Sequence, residues 1–322
     1  QKYEAKDKHT LALFKKMNII STKQFSRKFV TDLLEETHLL ENTFSDVVKD
    51  APLRGKTMLS IFFQPSTRTR VSFESAMQKL GGGVVTIEDP NEMLALKKGE
   101  SFKDTVRTID ELCDVIVWRD ESESQIRRLA KFSHIPVINA GNGGDEHPTQ
   151  ALLDLYTIKK ELGRLENFSC LFIGDLRYGR TIHSLLLLFA CLRLSKLKIY
   201  LSCPEHLSLP QEYAAYLRAQ KINFSYVENP DLPLRSVDVI YLNRIKKEYF
   251  ASNGEYEQIQ DFFVLDQKIL DRIKPTAIIV HPLPRTHELS TAIDHDKRAA
   301  YWDQVRNGLY MRMALLKKLL IK

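Results

Sequence analysis

The stretch TMLSIFFQPSTRTRVSFESAMQKL, residues 57–80, decides the fold. Its first part, Thr57–Phe63, is a short apolar run without strict alternation, as expected of a strand covered on both faces. Thr67–Leu80 has helical spacing. A strand, a polar turn and a helix in that order predict one unit of a parallel α/β sheet. The same pattern repeats outward. Strands are expected at Val84–Ile87, Val115–Trp118, Pro136–Ala140, Cys170–Gly174, Lys198–Ser202, Val237–Leu242 and Ala277–Val280. Helical patterns at Gln125–Phe132, Thr149–Leu162 and Arg180–Leu192 lie between them. This alternation predicts α/β architecture with helices on both sheet faces.

At roughly 150 residues per domain, 322 residues suggest about two domains. The best break is GNGGDEHP, Gly141–Pro148, so the expected units are 1–148 and 149–300. A last helix, with Leu309, Met313, Leu316 and Leu320 as its apolar face, occupies 301–322 and is expected to dock back on the first unit. Lys+Arg number 47 and Asp+Glu 41, a net charge of +6 with no basic block, so neither nucleic acid nor a membrane surface is an expected partner. The longest apolar run, Leu185–Leu192, is far short of the ~20 residues that span a bilayer. The polar start does not read as a secretory signal. Cys113, Cys170, Cys191 and Cys203 are scattered through apolar stretches, which predicts buried free thiols in a reducing compartment.

In open parallel sheets, ligands gather outside the carboxyl ends of the strands. After the first strand, Ser66 is expected to cap the following helix through its hydroxyl. Thr67, Arg68, Thr69 and Arg70 add hydroxyls and guanidiniums to a helix N-terminus, itself an anion site, and together read as a phosphate cradle. GDLRYGRT, Gly174–Thr181, has glycines at a strand–helix turn but neither dinucleotide nor P-loop spacing. Its Arg180 stands where a substrate carboxylate could sit. HPTQ opens another helix with Pro148 in the first turn. There His147 can donate to a carbonyl oxygen, and Gln150 offers both donor and acceptor. In HPLPR, His281–Arg285, two prolines hold the backbone so that carbonyls and Arg285 are presented rigidly. No two histidines have metal-ligand spacing, and no metal is expected. The residues alone describe an α/β enzyme binding a phosphate and an anionic small molecule.

Together these segments resemble the aspartate/ornithine carbamoyltransferase family, over about Met17 to Leu320. The signature S-T-R-T-R-x-S-F-E stands at Ser66–Glu74, and HPTQALLDLYTI and GDLRYGRTIHSL follow in the family's order. HPLPR and NGLYMRMALL look like the aspartate branch. The resemblance implies a carbamoyl-phosphate domain and an aspartate domain. It implies transfer of the carbamoyl group of carbamoyl phosphate to the amine of L-aspartate, as in pyrimidine synthesis, without a cofactor. Ser66, Thr67, Arg68, Thr69 and Arg119 would hold the phosphate, and His147 and Gln150 the carbamoyl group. Arg68, Thr69 and His147 would polarise its carbonyl. Arg180, Arg244 and Lys246 would receive aspartate, and Pro282 and Leu283 would add backbone contacts. Lys98 would serve a neighbouring subunit's site. A cytoplasmic homotrimer with shared sites and closing domains is implied, with an organelle or a regulatory chain left open.

Against the family pattern, Gln64 replaces a Glu, Leu94 and Ala95 replace serines, and Asn142 replaces an Asp. Lys246 replaces a Gln, Tyr249 an Arg and His287 an Asp. These positions keep two other readings open. One is a carbamoyltransferase with a different amine substrate or weak activity. The other is a non-catalytic paralogue that keeps the scaffold.

Overall fold

The computed structural model describes residues 17–87, 99–228, 232–247, 250 and 253–321. The chain first runs through α1 (Arg27–Asn42), α2 (Phe44–Asp50), β1 (Thr57–Phe62), α3 (Thr67–Lys79) and β2 (Gly83–Ile87). It continues through α4 (Phe102–Leu112), β3 (Val115–Asp120), α5 (Glu123–Phe132) and β4 (Val137–Asn142). α6 (Pro148–Leu162) leads into β5 (Ser169–Gly174), α7 (Arg180–Leu192), β6 (Lys198–Ser202), α8 (Gln211–Ala219) and β7 (Phe224–Tyr226). β8 (Val239–Asn243), α9 (Asn253–Ile259), α10 (Gln267–Leu270), β9 (Ile278–Val280) and α11 (Tyr301–Leu320) complete it.

The strands form two parallel sheets, ordered β2-β1-β3-β4 and β7-β6-β5-β8-β9. In each, successive strands leave a central pair in opposite directions. The crevice at such a reversal is where open α/β sheets take ligands. The first reversal lies between β1 and β3, whose register puts Phe62 beside Arg119. The second lies between β5 and β8, where Gly174 pairs with Asn243. Hence STRTR and Arg119 emerge together from one sheet, and GDLRYGRT and Arg244 from the other.

Alternate residues of each strand enter different cores. Leu59, Ile61, Ile116 and Trp118 pack on one face of the first sheet. Met58, Val115 and Val117 face a larger core that continues into the second sheet through Phe172, Val239 and Tyr241. α6 begins with Pro148 in its first turn and is followed by Gly163 in the left-handed region. It packs against α7 and α11, while α11 also lies on α1 and α3 of the first unit. The two halves therefore share packed helices.

The structure shifts some expected elements. β8 begins two residues into the Val237–Leu242 run; just before it, the Asp238 carboxylate accepts from the Ser169 backbone N–H and hydroxyl (2.8 and 3.0 Å). β7 was invisible as an apolar run: it is three residues, Phe-Ser-Tyr, at a sheet edge. On α11, Leu309 and Leu320 only flank the core. The buried face also carries Gln304, Asn307, Gly308 and Arg312. Those four are polar or small, so a search for apolar spacing passes over them.

Gly174 sits at φ +113, and a Cβ there would stand 1.9 Å from the Asn243 carbonyl oxygen. Gly174→Ala is expected to cost about 3 kcal/mol or more, combining left-handed strain with overpacking against backbone. A thermal melt checks this, and an unchanged Tm would contradict the close approach of β5 and β8.

Candidate active site

The strand ends open into one cleft of about 920 Å³ between the two sheets. Ser66, Thr67, Arg68, Thr69, Arg119, His147 and Gln150 line it from the first half and the start of α6. Arg180, Arg244, Lys246, Pro282 and Leu283 line it from the second. Among the described residues, every residue to which the family resemblance gives a role is thus at this cleft. Lys98 lies outside the described residues, as do Leu94, Ala95 and Tyr249.

Ser66 occupies the N-cap position of α3, but its hydroxyl does not cap the helix. It accepts a hydrogen bond from Arg119 Nη1 at 2.9 Å instead. The expected cap is therefore corrected: the hydroxyl ties the turn after β1 to the end of β3. Arg119 stands at an irregularity in which Trp118 pairs with Asn139 and Asp120 with Asn142. β4 thus carries the extra residue there, with Gly141 at φ +108. Bulges of this kind re-aim side chains beside sites. A Cβ on Gly141 would lie 3.2 Å from the His147 ring and 3.3 Å from the Arg180 guanidinium.

His147 is buried between two hydroxyls, with Thr69 Oγ1 3.3 Å from Nε2 and Thr149 Oγ1 3.5 Å from Nδ1. Its backbone N–H donates to Ser184 Oγ at 2.7 Å, fixing the start of α6 to α7. Burial, then the nearby Arg180, Arg119 and Arg312, hold its pKa well below the ordinary histidine value. The imidazole is neutral at pH 7 and can donate one N–H without adding another charge.

In the second half, Asp175 Oδ1 accepts from the backbone N–H groups of Arg177 and Tyr178 (3.0 and 2.9 Å). Asn243 Nδ2 donates to the Asp175 carbonyl at 2.7 Å. These bonds shape the turn that delivers Arg180, whose Nη1 donates to Gly143 O at 2.8 Å. Lys246 Nζ lies 3.5 Å from Tyr178 O. Among the described residues, the lining contains six cations, Arg68, Arg119, Arg180, Arg244, Lys246 and Arg312, against one carboxylate, Glu121. Partial burial, and then the charge of nearby Arg244, lower the Arg68 pKa. Gln64 Nε2 donates to Glu121 Oε1 at 3.0 Å and holds that carboxylate at the rim.

Two expected guanidiniums are not at the cleft. Arg70 turns back to Glu74 (Nε to Oε1, 3.0 Å), a carboxylate that also accepts from Ser60 and Thr86. Arg285 is held rigidly, as expected, but by both oxygens of Asp294. In each case a nearby carboxylate claims the cation. Asn142 donates to Asp145 and accepts from Asn139, a double role that an ionised Asp could not fill. Exposed His287 instead lies 2.9 Å from Gln260 O, away from the cleft.

The sequence reading missed Gln304 and Arg312, both on α11 and both buried at the cleft. Arg312 Nη1 donates to Gly308 O at 3.1 Å, its guanidinium lies 5.0 Å from the Phe73 ring centre, and its Nε has no hydrogen-bond partner among the described residues. Burial lowers its pKa to about 10, so it stays charged at neutral pH. The available signal was polar and small residues four apart, Gln304, Gly308 and Arg312, in an otherwise apolar helix.

Residues 17–160 match the family model of the aspartate/ornithine carbamoyltransferase carbamoyl-P binding domain, and residues 166–319 match that of the Asp/Orn binding domain. The chain is 40% identical to the chloroplastic aspartate carbamoyltransferase of Arabidopsis thaliana, over 97% of this chain and 80% of that protein. It is 39% identical to the aspartate carbamoyltransferase catalytic subunit of Methanocaldococcus jannaschii, over 94% and 97%. The solved catalytic subunit of M. jannaschii aspartate transcarbamoylase superposes with TM-score 0.84 at 38% identity, covering 94% of this chain and 97% of that one. A Trypanosoma cruzi aspartate transcarbamoylase in complex with carbamoyl phosphate and aspartate gives TM-score 0.84 at 35% identity, over 94% and 96%.

The HPLP loop has its own pH dependence. His281 Nδ1 accepts from Leu283 N–H at 2.8 Å, so the ring proton is on Nε2, which donates to Glu288 at 2.9 Å. Burial raises the Glu288 pKa, but bonds from His281 and Thr286 outweigh it and leave the carboxyl well below the usual range. A depressed folded-state pKa means stability that is present above about pH 4.5 and lost as the pH falls toward the lowered value. Glu288→Gln is expected to lower Tm at pH 7 and to flatten the fall of Tm below pH 4.5. An acid profile identical to wild type would remove Glu288 from that role.

Proposed function

This chain belongs to the aspartate/ornithine carbamoyltransferase family, and we propose that it is an aspartate carbamoyltransferase acting through the cleft described above. It transfers the carbamoyl group of carbamoyl phosphate to the amine of L-aspartate, giving N-carbamoyl-L-aspartate and phosphate. The convergence of STRTR, Arg119, His147, Gln150, Arg180 and Arg244 on one cleft carries the reading.

The first residues of α3, Ser66–Thr69, together with Arg119, receive the phosphate. A helix N-terminus supplies backbone donors, and the guanidiniums supply charge-assisted ones. Gln150 and the backbone of Pro282 and Leu283 receive the carbamoyl amino group. Arg180 and Arg244 pair with the aspartate carboxylates, and Lys246 adds a third cation beside them.

Unprotonated aspartate amine attacks the carbamoyl carbon, and charge develops on the carbonyl oxygen. Neutral His147, Thr69 and Arg68 donate to that oxygen. One such donor is typically worth about 3 kcal/mol in the transition state. As the tetrahedral centre collapses, the C–O bond to phosphate breaks and the phosphate takes up the amine proton. Holding the two reactants in line can offset roughly 7–11 kcal/mol of barrier. Lys98 is proposed to reach a neighbouring subunit's cleft, which makes a homotrimer the working assembly.

Purified protein is expected to form carbamoyl-aspartate from carbamoyl phosphate and L-aspartate. Arg68→Ala should lower kcat by about 100-fold or more, since it removes both a phosphate and an oxyanion donor. Folded trimer that turns over no aspartate but carbamoylates another amine would redirect the reading to that substrate. Failure with every amine would leave the scaffold without this catalysis.

A further inference from the structure

Beneath the cleft floor lies a carboxylate that the chemistry above does not use. Asp154 is fully buried in the middle of α6, one turn after Gln150. Its Oδ1 accepts from Gln150 Nε2 at 2.8 Å and from Gln304 Nε2 at 2.6 Å. Its Oδ2 accepts from the Tyr241 hydroxyl at 2.9 Å. The three donors come from α6, α11 and β8. Gln150 and Gln304 line the cleft, and Tyr241 stands three residues before Arg244. The other end of the Gln304 amide, Oε1, accepts from His281 N–H at 2.9 Å, at the root of the loop that carries Pro282 and Leu283.

A primary amide has two donors at one end and an acceptor at the other, and rotation by half a turn exchanges them. Because Asp154 takes the donor ends of both glutamines, their acceptor ends are fixed. Gln150 is left with Oε1 for the cleft, and Gln304 with Oε1 for His281. The demand is for an acceptor at Oδ1, not for charge. A neutral carboxyl would still accept there, with its proton on Oδ2 directed at the Tyr241 oxygen. Burial indeed pushes this carboxyl up to about 7, against bonds from Gln304, Tyr241 and Gln150 and the charge of Arg312.

We infer that Asp154 is a positioning residue for carbamoyl transfer. By accepting from both glutamines it aims the Gln150 carbonyl oxygen at the substrate's amino group and ties the His281–Pro284 loop to the same point. The inference rests on the carbamoyl-transfer reading, and it adds a buried group that never touches substrate but sets which end of Gln150 does.

The test compares two variants in steady-state assays with carbamoyl phosphate and L-aspartate. Asp154→Leu keeps the branched shape, with bulkier methyl groups in place of the oxygens, and removes the acceptor. Asp154→Asn keeps an acceptor at Oδ1 and can donate from Nδ2 to the Tyr241 oxygen. The expected result is a fall of about 100-fold in kcat/KM for carbamoyl phosphate in D154L, the scale of mispositioned groups. D154N should recover to within about tenfold of wild type. A purely structural carboxylate predicts otherwise, because an apolar residue often replaces a buried charge with little loss of stability. D154L within threefold of wild type would overturn the inference, as would a folded D154N as impaired as D154L. A readout free of activity comes from neutron diffraction of the unmodified protein, which locates the amide deuterons. Gln150 deuterons on the Asp154 side support the inference even if D154L does not fold. Deuterons on the cleft side overturn it. An inactive wild type would instead overturn the proposed function and leave the neutron result to decide Asp154.

Discussion

Among the described residues six cations face one cleft, and keeping them there is the constraint on which the rest of the structure depends. Two unit charges ~6 Å apart repel by roughly 3 kcal/mol at an effective dielectric near 20. Flexible side chains would relieve that by swinging into solvent. Here three of them are restrained: Arg119 donates to Ser66 Oγ, Arg180 to Gly143 O and Arg312 to Gly308 O. These acceptors are neutral, so they fix direction without cancelling charge. Carboxylates instead claim Arg70 and Arg285, the two guanidiniums expected from the sequence that lie away from the cleft.

The scaffold that holds this charge is built from backbone rather than from long side chains. The reversals of strand order bring four strand ends to one place, and each turn after them is tightened where its side chains are shortest. Gly174 passes the Asn243 carbonyl too closely for any Cβ, and Gly141 lies against both His147 and Arg180. Asp175 closes the turn before Arg180 with two backbone bonds, while Ser184 receives the His147 N–H. α6 and α11 run beneath both halves in a continuous core. An error in either sheet is therefore transmitted to the other through packed helices.

Much of this was legible in the sequence because the decisive features are local. STRTR and HPTQ are strand–helix turns whose meaning is contained in a few consecutive residues. Partners distant in sequence were not legible. Nothing near Ser66 says that its hydroxyl will meet Arg119, 53 residues away. Nothing near Arg285 says that Asp294 will hold it before it can reach the cleft. Asp154 lies in the run LLDLYTI, and Gln304 and Arg312 lie on a helix that reads as an apolar docking face. Each is a polar residue at a buried helical position, which sequence periodicity scores as noise. Such a residue requires a partner when buried, so its presence was the signal, although the identity of the partner was not.

The charge imbalance also bears on how the cleft works under the proposed function. With six cations and one carboxylate among its described lining residues, the cleft resists bringing its two walls together while it holds only those charges. Carbamoyl phosphate brings about two negative charges at neutral pH, and aspartate with a free amine brings two more. Four negative charges against six cations and Glu121 leave a near balance. Repulsion becomes attraction only when both substrates are in place. That also bears on the departures from the family pattern. Gln64 removes a carboxylate from the turn before α3, yet its amide holds Glu121 at the same rim. Lys246 adds a cation in the half that receives the dicarboxylate. Both changes alter the charge of the empty cleft and leave untouched His147, Thr69 and Arg68, the residues proposed above as oxyanion donors, so under that proposal their first effect falls on substrate binding and the approach of the walls.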